Sequence, residues 1–168
     1  MLHRLICLGV VVMLGACASS SEKFQMPRAE VRGDLSRLVL YRTGINLGFG
    51  EENSVSLNGG IVCFISPGEV MVRDIRPGEY RLALDNPSTP GTSVMNFKAE
   101  PGKTVYISAA PNARRVAASA ALGFIGTLLS ADKSSSRGGN TFIEQVTAEV
   151  AKPELEQLYR CSCAPPGS

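Results

Sequence analysis

Proline-glycine pairs at residues 67–68, 77–78, 90–91 and 101–102 cut the middle of this chain into short lengths, and that punctuation limits the folds open to it. Proline presets φ for the first central position of a turn, and glycine accepts positive φ at the second. The segments between the pairs alternate. In EYRLALD, Tyr80, Leu82 and Leu84 share a face while Arg81 and Asp85 lie opposite; in SVMNFKAE, Met95, Phe97 and Ala99 oppose Asn96 and Lys98. In KTVYIS, Val105 and Ile107 oppose Thr104 and Tyr106. Upstream, RLVLYR (37–42) is a β-branched and aromatic run with charged ends. SVSLN (54–58) sets Val55 and Leu57 against Ser54 and Ser56, and Asn58-Gly59 separates it from IVCFI (61–65), the strongest short-range hairpin signal. One-sided alternation belongs to antiparallel sheets with one wet face. About seven short strands at such spacing predict a mainly β chain, an antiparallel β-sandwich of transthyretin-like or immunoglobulin-like type.

A chain of 168 residues holds one such domain with a real core. Its start has a different character. Arg4 precedes ten apolar residues, Leu5 to Leu14, too few to span a bilayer, which takes about 20. The run ends at Leu14-Gly15-Ala16-Cys17 and turns polar at Ala18. This resembles the lipobox of bacterial lipoproteins, cut before the cysteine. The resemblance implies a signal peptide over 1–16, acylation of Cys17, and attachment to the membrane through its acyl chains. Each buried methylene contributes about 0.8 kcal/mol, so stable anchoring takes more than one chain. Ala18 at the next position implies sorting to the outer membrane, facing the periplasm. Residues 17–35 are polar and aperiodic and read as a flexible tether.

Behind that leader, LVLYRTG, VSLNGG, VRDIRPGEYRLAL and FKAEPGKTVYISA occur in this order. Together they resemble an uncharacterised family of bacterial lipoproteins carrying one transthyretin-like or carboxypeptidase-regulatory-like β-sandwich, over about residues 36–160. The shared motifs are turn and core signatures, and the resemblance carries no catalytic residue. The domain is expected over 36–163, with a disordered tail at 164–168.

Within it, residues 114–140 break the pattern. Val116 to Leu129 is uncharged and hydrophobic all round, about 21 Å long as a helix against a hydrocarbon core of about 30 Å. It is expected either to pack on the sandwich or to enter a membrane interface or partner. SSSRGGN (134–140) reads as a flexible link. TFIEQVT (141–147) reads as a returning strand, and Pro153 as the first residue of a short helix running to about Arg160.

Four of the five cysteines bear on chemistry. With Cys17 as anchor, Cys63, Cys161 and Cys163 remain. In an oxidising compartment Cys63 is expected to pair with Cys161 or Cys163, leaving one odd thiol. Cys161-Ser162-Cys163 lacks the two-residue spacer of thioredoxin-type pairs, and a three-cysteine zinc site lacks an evident fourth ligand. No metal or cofactor is therefore expected. Removal of 1–16 takes away the only histidine, His3, and with it the commonest general base. The 16 Lys+Arg then left against 15 Asp+Glu argue against nucleic acid as a partner. Glu51, Glu52 and Asp74 with Arg73, Arg76 and Arg81 read as a solvated strand face. Ser119 lies outside a G-x-S-x-G elbow, and Gly44 to Gly50 lacks the lysine of a phosphate loop. The expectation is a non-enzymatic, membrane-anchored lipoprotein whose sandwich binds an envelope protein; the alternative is a carbohydrate- or peptidoglycan-binding module, for which the absence of Trp leaves little support.

Overall fold

The computed structural model describes residues 22–44, 52–86, 88–112, 134–135, 138–139, 141–161 and 163. The leader, Cys17, the apolar run from Val116 to Leu129 and the tail at 164–168 lie outside them.

Among the described residues, ten strands form two five-stranded sheets stacked as a sandwich. β1 (Ser36–Arg42), β4 (Glu69–Ile75), β7 (Thr104–Pro111), β9 (Thr141–Val146) and β10 (Tyr159–Arg160) make the first sheet, in the order β10-β4-β1-β7-β9. β2 (Asn53–Leu57), β3 (Gly60–Ile65), β5 (Gly78–Asn86), β6 (Thr89–Ala99) and β8 (Ser134–Ser135) make the second, in the order β3-β2-β5-β6-β8. The mainly β sandwich expected from the sequence is what forms; most of its pairings are antiparallel, and three are parallel, β1 with β7, β10 with β4 and β6 with β8. β1 and β7 are neighbours in space although the strands between them in the chain cross to the other sheet and back, a pairing that no local turn signal encodes.

Local chemistry sets the hairpins. Asn58 (φ 51°) and Gly59 (φ 87°) form the two-residue loop between β2 and β3, and only such residues occupy two positive-φ positions cheaply. The Asn58 side-chain carbonyl accepts from the Arg81 amide at 2.8 Å, tying the loop to β5. Gly68 and Gly102 also have positive φ, as the Pro-Gly reading requires. Pro90-Gly91 differs, since it lies inside β6, where the register against β5 slips between Asp85 and Asn86. There the pair makes a bulge and not a turn.

The alternating residues fill the space between the sheets: Leu38 and Leu40 of β1, Val55 of β2, Leu82 and Leu84 of β5, Phe97 of β6, and Ile107 of β7 are all buried. β1 is buried on both faces, because a second cluster covers the outside of the first sheet. Val39, Tyr41 and Val70 there meet Phe24, Ala151, Leu155 and Leu158.

That cluster corrects two readings. The segment from Glu22 is docked: Phe24 is 6% exposed, its amide donates to the Leu158 carbonyl at 2.8 Å, and the Arg160 amide donates to the Glu22 carbonyl at 2.8 Å. One aromatic in a polar stretch is enough to dock the segment, although it leaves no periodic pattern. The helix α1 spans Ala148–Leu155 and carries Pro153 inside it. Its boundaries follow Ala151 and Leu155, which lie one turn apart on the face buried against the sheet; that packing outweighs the proline signal.

SSSRGGN is also corrected where it is described. Ser134–Ser135 pairs with β6, and Gly138 and Gly139 are buried. The Gly139 amide donates to Ser93 Oγ at 2.9 Å, and Asn112 Nδ2 donates to the Gly139 carbonyl at 3.2 Å. A Cβ at Gly139 would stand 2.8 Å from Ser93 Oγ and 3.0 Å from Ser93 N, so this backbone approach requires glycine. Among the described residues, no helix is long and apolar enough to cross a membrane.

Candidate functional site

β10 sets the geometry of the only chemistry-bearing cluster among the described residues. The Tyr159 amide donates to the Gly68 carbonyl and the Cys161 amide to that of Val70, both at 2.9 Å, so the C-terminal segment continues along the edge of β4. Cys63 faces inward from β3, the edge strand of the other sheet. Cys63 and Cys163 are joined in a disulfide that links the two sheets at this edge, and Cys161 is the odd, buried thiol. Cys161 Sγ lies 3.2 Å from Cys63 Sγ and 2.8 Å from Cys163 Sγ. All three sulfurs fall within 4.8 Å of one another.

The Cys161 thiol donates to the Phe64 carbonyl at 3.0 Å, while Arg73 Nη1 reaches the Val62 carbonyl at 3.4 Å. Both are backbone acceptors of an edge strand, and side-chain donors on them blunt the edge against further strand pairing. Burial, followed by the negative charge of Glu69 and a hydrogen bond to it, pushes the Cys161 thiol up to about 12. It is therefore a protonated donor at neutral pH.

Beside the cysteines opens a cavity of about 410 Å³, whose wall includes Arg37, Asp74, Arg160, Cys161 and Cys163. Arg37 and Asp74 are direct cross-strand partners of β1 and β4. Arg37 donates through Nε to Oδ1 at 2.8 Å and through Nη2 to Oδ2 at 3.1 Å, a bidentate pair. Those hydrogen bonds, opposed by burial, hold the Asp74 carboxyl below its usual range. The charge-bearing ends of RLVLYR were legible in the sequence, but the partner of Arg37 depends on the register of two distant strands. At the other end of the strand, burial pulls the Arg42 guanidinium down to about 10.

The sequence-nominated residues thus divide. Cys63, Cys161 and Cys163 converge. Arg76, in the connection between β4 and β5, and Arg81, on β5, are exposed. Cys17, Glu51 and Ser119 lie outside the described residues. Comparison with family models, characterised proteins and solved structures found no match to the chain.

Proposed function

We propose that this protein is a non-enzymatic lipoprotein, anchored at Cys17 to the periplasmic face of the outer membrane, whose sandwich binds another envelope protein. The observation that carries the binding role is on β3. Ile61 and Phe64, 45% and 41% exposed, project from an edge strand beside Ser54 and Ser56, their cross-strand partners on β2. A large aliphatic and an aromatic side chain on an uncharged strip favour a protein partner. The docked segment from Glu22 supports a role close to the membrane. Four residues separate it from Cys17, a span of at most about 18 Å over the five Cα–Cα steps when extended. Confinement to a surface raises the effective concentration for a partner on the same membrane.

Two measurements test the reading. Intact mass of envelope-matured protein is expected to lack residues 1–16 and to carry added lipid; Cys17→Ala protein that still partitions into detergent after processing would place the anchor elsewhere. Capture from detergent-solubilised envelopes is expected to yield a partner that an Ile61→Asp, Phe64→Asp chain loses at least tenfold. Retention on purified peptidoglycan, unaffected by that double change, would overturn the protein-binding reading in favour of the carbohydrate module.

A further inference from the structure

A single disulfide needs two cysteines, and here a third thiol sits against both of its sulfurs. Cys161 Sγ is almost as near to Cys63 Sγ (3.2 Å) as to Cys163 Sγ (2.8 Å). We propose that Cys63, Cys161 and Cys163 form a thiol–disulfide exchange site, in which Cys161 displaces Cys163 from Cys63 and frees the Cys163 thiol at the wall of the cavity.

The two alternatives differ little in what the chain must do. Cys63–Cys161 closes a loop with separation 98 and Cys63–Cys163 one with separation 100, so loop-closure entropy does not choose between them. Cys161 is already held to β4 by the hydrogen bond from its amide to the Val70 carbonyl, and Cys63 lies within β3. A Cys63–Cys161 bridge therefore joins two residues that the sheets fix. Cys163 stands beyond β10, is half-buried and lines the cavity, so its sulfur is the natural leaving group.

The step balances without an external oxidant. Cys161 gives its proton to hydroxide from solvent, and its sulfur attacks Cys63 Sγ. The Cys63–Cys163 bond breaks with its electron pair on Cys163 Sγ, which takes a proton from solvent water and so restores the hydroxide. One disulfide is consumed and one is formed. Cys161 lies beside the existing bond at near-equal distances, so in-line attack requires rotation of its side chain about χ1.

The groups facing this thiol set the rate. Burial keeps it protonated, and the negative charges of Glu69 on β4 and Glu52 before β2 add to that effect. Arg160 precedes it in the chain, and Arg37 and Asp74 pair with each other in the cavity wall. With the thiol near 12, only on the order of one molecule in 10⁵ carries the thiolate at pH 7, rising about tenfold per pH unit. Exchange is thus slow, base-dependent and confined to one molecule.

Peptide mapping decides the matter, because cleavage after Arg42, Arg73 and Arg160 places Cys63 on one peptide and both Cys161 and Cys163 on the last. The full chain, purified without reductant, is held between about pH 7 and pH 9, quenched in mildly acidic denaturant and labelled with N-ethylmaleimide. Fragmentation of the last peptide then locates the label. The expected result is label at both Cys161 and Cys163, approached at a rate that rises about tenfold per pH unit and is independent of protein concentration. A Cys163→Ser chain is expected to bridge Cys63 to Cys161 with neither thiol free. A Cys161→Ser chain is expected to keep one unchanging Cys63–Cys163 bridge. Label confined to Cys161 at every pH overturns the proposal, as does a rate proportional to protein concentration; so does a Cys163→Ser chain with Cys63 and Cys161 both free.

Discussion

Phe24→Ala tests whether the segment leading into the sandwich belongs to the domain. Phe24 is 6% exposed and packs among Val39, Tyr41, Leu155 and Leu158 on the outside of the first sheet. Burying a phenylalanine contributes about 1.5–3 kcal/mol, and truncation in a core that cannot collapse costs about 3–5 kcal/mol. Here the burial figure applies and not the truncation figure. The segment is terminal, held besides the ring by the Phe24–Leu158 and Arg160–Glu22 backbone bonds, so it can detach before the sandwich unfolds. A loss of about 2–3 kcal/mol follows for docking of the segment. In the regime where cleavage samples an open state, that loss corresponds to about 30- to 150-fold faster limited tryptic cleavage after Arg28. The urea midpoint of the whole domain is expected to fall less, because β1 loses cover on one face only. Cleavage after Arg28 at the wild-type rate in the Phe24→Ala chain would refute the reasoning and return the segment to a tether.

Three further substitutions address separate parts of the structure, each read by urea unfolding. Gly139→Ala is expected to cost about 1–3 kcal/mol, because the new Cβ meets Ser93 and the Gly91 carbonyl, partly backbone, which yields little; a change within about 0.5 kcal/mol would refute the close approach. Tyr41→Phe removes the hydroxyl that donates to Glu154 Oε2 at 2.6 Å and is expected to cost about 1–2 kcal/mol; no loss would mean that the bond does not help to dock α1. Asp74→Asn tests acid sensitivity. The Asp74 carboxyl is held below 3.8 by Arg37, so its contribution is complete above that value and is lost as pH falls through the folded-state value. The wild-type advantage, about 1 kcal/mol for a pair with one partner a third exposed, is expected to be constant from about pH 5 to 7 and to decline as pH falls below the ordinary carboxylate range; an advantage that does not decline in acid would refute it.

Strand positions and turns were legible in the sequence because they depend on neighbours along the chain. The alternation of EYRLALD and KTVYIS placed Leu82, Leu84, Val105 and Ile107 on the buried face, and Asn58-Gly59 gave its hairpin because few other residues accept positive φ twice. The sequence also supplied three cysteines for one pairing. Tertiary structure decided everything that depends on residues far apart. It set β1 beside β7 in parallel, matched Arg37 to Asp74, and turned Pro90-Gly91 from a turn into a bulge against β5. It also buried Phe24, a single aromatic with no periodicity to announce it, and started α1 at Ala148 to bring Ala151 and Leu155 onto the sheet. At the cysteines the division is sharpest. The cysteine count leaves Cys63 free to bridge to either member of the C-terminal pair, but only the parallel pairing of β10 with β4 aims Cys161 into the gap between the sheets and brings Cys163 to Cys63. Side-chain direction along an edge strand is fixed by its register with its neighbour, and a two-residue strand has too little sequence to specify that register alone.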